Sequence, residues 1–518
     1  MESKMAKNIQ SGSRMRLCAL YTACFTLIAH GYRYLSMGFS GDAALISQAG
    51  EEAYQISLGR FLQPVYWQIR GVITAPLVIG LFATMFLIVA AMSVTWVLGL
   101  TRRRDIALVC GLLAASETFA VSNATYLPWT DVYALSLMLA TLGVAAFFRW
   151  RWGWLLVSPV CFFLSLAAYQ SYLAVAAALL ILACLCAVLR GERTASVWLT
   201  GVRACASLLL GLALYALVLR VVLSAWGLTA SQDYNGVGRV GMVPLDQIAS
   251  LLETTYLTPL RYLFDPTSPD VIPWHVRVIP AWLNLLLLAC AAVLLALRLR
   301  HVRPGAVLTA LFLLAVFPLG VNFVEFIAQG IVNGLMIYAY GFFYVLCVAL
   351  VAPDIRTDAA LQPRPERWLC GLTTLLLMAV IGVNTVSSNQ MSFKRDLEFS
   401  STLSVVTRIL DRAEQTEGYV PGETPVVLVG ILPSSPVSME RPGFEEIARH
   451  QGMRYTYAAS YETSTYWYLQ MTLGAKVNLV SHEERRVLSG RSEVEQMPVF
   501  PQEGCCAMIE DKLYIRIN

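Results

Sequence analysis

The chain has 518 residues, of which 57% are hydrophobic and only 14% charged, with a formal net charge of +4. That composition is too apolar for an ordinary soluble enzyme. The positive excess sits in short loops between apolar segments, so it implies no nucleic-acid partner.

Apolar segments of roughly 20 residues match the hydrocarbon thickness of a bilayer. In chain order they are expected at 17–39, 72–100, 106–122, 131–148, 155–169, 170–189, 204–226, 278–297, 306–324, 336–352 and 369–387. The expected fold is therefore an α-helical polytopic membrane domain of about 11 transmembrane helices over residues 1–387. The third and fifth segments are short. No small-residue cleavage site follows the first, which reads as a retained helix. Cationic residues collect in every second loop, as in Arg102, Arg103 and Arg104, and again in Arg298, Arg300 and Arg303. This bias places the N-terminus in the cytoplasm, and residues 40–71, 227–277 and 388–518 on the other side.

Two of those external stretches are long loops. In 40–71, Tyr54, Leu58, Phe61, Leu62, Val65, Tyr66 and Ile69 recur at helical spacing, which predicts a helix lying in the membrane interface. Residues 227–277 are rich in Pro, Asp, Tyr and Gly and show no strong periodicity. After Ser387 the composition changes. Residues 394–417 alternate charges with apolar residues and predict an amphipathic helix. Pro425 to Gly430 reads as a buried strand and Lys512 to Ile517 as a closing one. Residues 388–518 thus suffice for a small α/β domain. It carries no phosphate-cradling glycine loop, so no nucleotide is assigned. Cys505 and Cys506 are adjacent, as two thiols or a strained vicinal disulfide. No CxxC spacing suggests a metal, and no metal ligands are assigned.

Ionisable groups at membrane depth are costly and are candidates for function. His30, Arg33, Asp42, Glu117, Asp131, Arg220, Arg277 and Glu325 all fall toward the non-basic ends of their spans. They suggest a polar chamber opening on the external side. Each has a plainer alternative. Arg33, Arg220 and Arg277 reach the interface by snorkelling, Glu117 and Asp131 pair with an arginine, and His30 packs. Asp42 caps a helix or acts as a base. Glu51 and Glu52 read as solvated charges at a helix start.

Three separated pieces carry a resemblance. Ser40-Gly41-Asp42 opens the first external loop and is followed by Gly59-Arg60-Phe61. Leu164-Ser165-Leu166-Ala167-Ala168-Tyr169-Gln170-Ser171 forms a Tyr-Gln turn between spans. Met497-Pro498-Val499-Phe500-Pro501 precedes the final strand. In this order the chain resembles the serotype-converting O-antigen glucosyltransferases of the Gtr type, integral-membrane enzymes of the GT-C class.

The resemblance implies a sugar, usually glucose, taken from undecaprenyl phosphate and attached to a surface polysaccharide at the bacterial inner membrane. On that reading the C-terminal domain is periplasmic and Asp42 is the general base. The donor phosphate then meets Arg60, Arg33, Arg220 or Arg277. Glu117, Asp131, Tyr169, Gln170 and Glu325 line the substrate cavity. The resemblance assigns no definite cofactor and leaves a divalent cation open. Relatives carry two adjacent acidic residues where this chain has Gly41-Asp42, which makes Asp42 the sole candidate there unless Glu51 or Glu52 assists. The alternative is a flippase or transporter of lipid-linked sugars, for which paired repeats and midplane charges are expected.

Overall fold

The computed structural model describes residues 2–38, 46, 50–231, 245–265, 278–300, 302–327, 332–352, 364–430, 432 and 468–518; of residues 2–11 it describes the backbone only. Asp42, Arg277 and much of the loop 227–277 lie outside the described residues.

The chain divides into two compact units. The first comprises Met1–Leu35, Glu52–Asn123 and Trp129–Asn389; the second comprises Ser36–Glu51, Ala124–Pro128 and Gln390–Asn518. Among the helices described in the chain are α1 (Glu2–Leu35), α2 (Glu51–Ser57), α3 (Leu62–Arg70), α4 (Pro76–Val97), α5 (Arg103–Ala114), α6 (Glu117–Thr125), α7 (Thr130–Arg149) and α8 (Gly153–Ala168). They continue with α9 (Leu173–Leu189), α10 (Thr194–Trp226), α11 (Ile248–Phe264), α12 (Ala281–Leu299), α13 (Pro304–Val321), α14 (Phe323–Ile327), α15 (Phe342–Val351) and α16 (Arg364–Glu414).

Among the described residues eight helical stretches are long and apolar enough to cross a membrane. Two more expected spans, Gly153–Ala168 and Tyr338–Val351, form shorter apolar helices. The first expected span begins inside α1, which ends at Leu35 rather than at residue 39. The third is interrupted: α5 stops at Ala114, and α6 restarts at Glu117. Proline sits at the first helical position of α4 and α13, where the missing N–H costs nothing.

Small residues let the helices of the first unit approach closely, as in membrane bundles. A methyl group at Gly143 of α7 would fall 2.5 Å from the Phe162 ring of α8, and one at Gly211 of α10 would fall 2.8 Å from Phe162 Cβ. Phe162 is fully buried between those two helices.

The interfacial helix expected in the first loop forms as two pieces, α2 and α3, joined by a turn at Gly59-Arg60. Its polarity is also reversed. Gln63, Tyr66, Trp67 and Arg70 of α3 face inward, while Val65 and Ile69 are exposed. Polar groups turned inward and apolar groups turned outward suit a helix whose outer side meets lipid.

In the second unit the strands are β1 (Pro425–Val429), β2 (Asn478–Leu479), β3 (Cys506–Ile509) and β4 (Lys512–Arg516). The sheet order is β2-β1-β4-β3, with β1 parallel to both neighbours and β3 antiparallel to β4. Both strands read from the sequence are present. Side chains alternate across the sheet. Val426, Leu428, Leu513 and Ile515 pack with Val406, Ile409 and Ala413 of α16. Val427 and Tyr514 face Leu488, Val494 and Met497 on the other side. The Met497 to Pro501 run is structural: Arg516 Nη1 donates to Met497 O at 2.5 Å, and Phe500 N donates to Arg516 O at 3.0 Å. The Sγ atoms of Cys505 and Cys506 are 4.0 Å apart as free thiols.

Candidate active site

The turn between α2 and α3 is fixed by the Tyr-Gln turn between α8 and α9. Gln170 Nε2 donates to Leu58 O at 2.6 Å and to Tyr215 Oη at 3.0 Å. Tyr215 in turn donates to Gly59 O at 3.1 Å, and Gln63 Nε2 donates to Ala168 O at 2.8 Å. Gly59 has φ +80°, a left-handed conformation, and a Cβ there would collide with Tyr215 Oη. Only glycine fits. The next residue, Arg60, is buried; its guanidinium lies 4.8 Å from the centre of the Tyr169 ring, and Nη1 donates to Gln55 Oε1 at 3.2 Å. Tyr169 continues into rings of Tyr133 at 4.7 Å and Tyr172 at 5.9 Å.

Asp131, at the start of α7, is fully buried. Its Oδ2 lies 3.0 Å from Arg70 Nε and accepts from Tyr66 Oη at 2.8 Å, while Oδ1 accepts from Val132 N at 3.0 Å. Burial and the adjacent Asp131 push the Tyr66 phenol well up, so it remains a donor. This carboxylate therefore ties α3 to α7. The pairing of Asp131 with an arginine expected from the sequence is the arrangement found here, and Arg70 supplies it together with the Tyr66 hydroxyl.

A second polar network crosses several helices. Tyr262 Oη donates to Glu117 Oε2 at 2.5 Å, and Val278 N donates to Oε1 at 3.3 Å. The Tyr262 ring meets Tyr340 at 5.3 Å; Tyr340 donates to Asn322 Oδ1 at 2.8 Å, and Asn322 donates to Glu325 Oε2. Thr258 completes the Glu325 environment at 2.9 Å. A cavity of about 20 Å³ beside Glu117, Tyr262, Tyr338 and Tyr340 has room for about one water.

The remaining expected residues separate. Arg33 is fully buried and donates from Nε to Asn123 O at 2.9 Å, so it does not snorkel. His30 is bonded on both ring nitrogens, to Ala114 O at 2.9 Å and Ser388 Oγ at 2.8 Å, as a packing residue is. Arg220 is exposed on α10 and joins none of these networks. Among the described residues no three His, Cys, Asp or Glu side chains group to hold a metal ion.

A charged cluster in the second unit is not apparent from the sequence. Lys394, Arg395 and Glu398 of α16 are buried, with Arg395 Nη1 2.6 Å from Glu398 Oε2 and Arg395 Nε donating to Ala124 O at 3.0 Å. The alternating charges of 394–417 predict only an amphipathic helix. The available signal was their place directly after an apolar span.

The description "Glucosyl transferase GtrII" belongs to a family model that matches residues 42–348, more than half of the chain. The chain belongs to the GtrII glucosyl transferase family. It is accordingly a glycosyltransferase of the membrane, as the resemblance implied. The matched span begins at Asp42 and contains Arg60, Glu117, Asp131, Tyr169, Gln170 and Glu325; Arg33 and the Lys394 to Glu398 cluster fall outside it. No curated protein and no solved structure matches the chain.

Proposed function

We propose that this GtrII family member transfers glucose from a polyprenyl-phosphate donor, such as undecaprenyl phosphate, to a surface polysaccharide such as O-antigen. The reaction takes place on the periplasmic side of the inner membrane, with inversion at the sugar carbon. The observation that carries the reading is the fixed Gly59-Arg60 turn. It holds a buried guanidinium over Tyr169 in the loop that opens with Asp42.

Each role has a chemical reason. A sugar hydroxyl is a poor nucleophile, and the Asp42 carboxylate takes its proton as it attacks. The leaving lipid phosphate gains negative charge, which Arg60 offsets by forking onto its oxygens. Arg33 and Arg277 are secondary candidates for the phosphate. Exposed Arg220 is the weakest. The Glu117 and Glu325 network, rich in tyrosine hydroxyls and an asparagine, suits a sugar acceptor. On this reading the C-terminal domain, residues 388–518, is periplasmic. A lipid-linked donor fits an external site, where nucleotide sugars are not supplied.

The test is composition and linkage analysis of the surface glycan in a deletion strain complemented with wild type or Asp42→Asn. Loss of one glucose branch, restored by wild type and not by the normally expressed variant, supports the reading. Full restoration by Asp42→Asn removes Asp42 as the base. An unchanged glycan with lipid-linked sugar accumulating inside favours a transporter.

A further inference from the structure

A groove of about 520 Å³ runs between α9, α10 and α13 in the first unit. That is within the range of ligand pockets. Its walls are hydrocarbon and thiol apart from Thr309, whose hydroxyl is engaged by Trp198 Nε1 and Gly305 O, each at 3.3 Å. The Trp198 and Phe312 rings, 5.0 Å apart, stand together at that end. A peptide would bring backbone polar groups that this lining leaves unsatisfied, so the groove suits a hydrocarbon chain.

The opposite end reaches the polar site on all three helices. On α9 the last lining residue is Leu173, three residues after Gln170. On α10 it is Leu212, three before Tyr215. Beyond α13 it is Phe323, next to Asn322 and two before Glu325. A chain lying in the groove therefore ends near Gln170 and Tyr215, the two residues that brace the turn carrying Arg60. From Val197 to Leu212 the groove follows α10 for about 22 Å, most of the roughly 30 Å hydrocarbon layer.

We propose that this groove binds the hydrocarbon tail of the lipid-linked sugar donor and thereby sets the enzyme's preference for long-tailed donors. The assignment rests on the transferase reading above, and its test separates the two. Gly201 lines the groove, and nothing lies within 4 Å of a Cβ built there. Gly201→Trp thus fills the groove without forcing the backbone. Leu217→Trp, on the exposed side of α10 away from the groove, is the control.

Full-length protein in nanodiscs is assayed with glucosyl phosphates carrying a long polyprenyl tail or a short one. For wild type the long-tailed donor has the lower KM. In Gly201→Trp its KM rises about tenfold, the equivalent of about two lost CH2 contacts, while the short-tailed KM and Leu217→Trp stay unchanged. Equal rises for both tails overturn the assignment. A polyprenyl phosphate with a photoreactive tail end gives a readout independent of turnover. It labels α10 or α13 beside the groove, and excess polyprenyl phosphate suppresses the labelling while phospholipid does not. Equal competition by phospholipid overturns the assignment. Labelling in the groove without transfer from either donor upholds the groove and overturns the proposed function.

Discussion

Gly59 carries two constraints in one residue. Its φ of +80° excludes most side chains, and Tyr215 occupies the space a Cβ needs. Gly59→Ala is expected to cost roughly 1–3 kcal/mol and to lower activity more than tenfold by shifting Arg60 off Tyr169. Gly371→Ala, in an open helical position, should instead leave the melting temperature unchanged or raise it. Thermal unfolding and glucose transfer, measured on both, separate the local constraint from a general dislike of alanine. Asp131 poses a different question, because its oxygens are already engaged. Arg70→Met leaves a buried carboxylate without its cation and should cost about 3–5 kcal/mol. Arg70→Met with Asp131→Leu should recover most of that loss. If the double variant is as unstable as the single one, the pair is doing more than anchoring α3.

At the scale of elements, α16 shows what the sequence made legible and what it hid. Hydropathy located the apolar part at 369–387, and periodicity located the helix at 394–417. Neither revealed that they are one helix of 51 residues. Polar composition changes at Ser387 without any proline or glycine to stop the helix, so a change of surroundings there leaves the helix unbroken. The same limit applies to Lys394, Arg395 and Glu398, since burial of a charge depends on what packs over it. Arg395 spans from Glu398 to Ala124 O and so fixes the 124–128 segment within the second unit. Glu398→Ala strands that arginine and should destabilise by about 3–5 kcal/mol, whereas Arg395→Met with Glu398→Leu should lose much less. Chemical denaturation followed by circular dichroism measures the difference. In the candidate site, Tyr169, Gln170 and Arg60 were readable as motif residues. Tyr215, Tyr262 and Asn322 were not, because each is an ordinary residue of its helix until the fold brings it to a partner far along the chain.

At the scale of the whole molecule, the proposed function stands or falls with orientation. A polyprenyl-phosphate sugar is consumed where the acceptor glycan is found, so Asp42 and Arg60 must lie outside the cytoplasm. The loops containing Arg102 to Arg104 and Arg298 to Arg303 must lie inside. Loop charge is the argument, because moving clusters of arginine across the apolar layer is the costly step during insertion. An alkaline phosphatase domain, active only outside the cytoplasm, reads this directly. Fused after Asn518 it should be active, and fused after Arg300 inactive. Replacing Arg298, Arg300 and Arg303 with glutamine should weaken the bias at that loop and raise the activity of the Arg300 fusion. An inactive fusion at Asn518 together with an active one at Arg300 would invert the protein. The site would then face nucleotide sugars, and a polyprenyl donor would lose its reason.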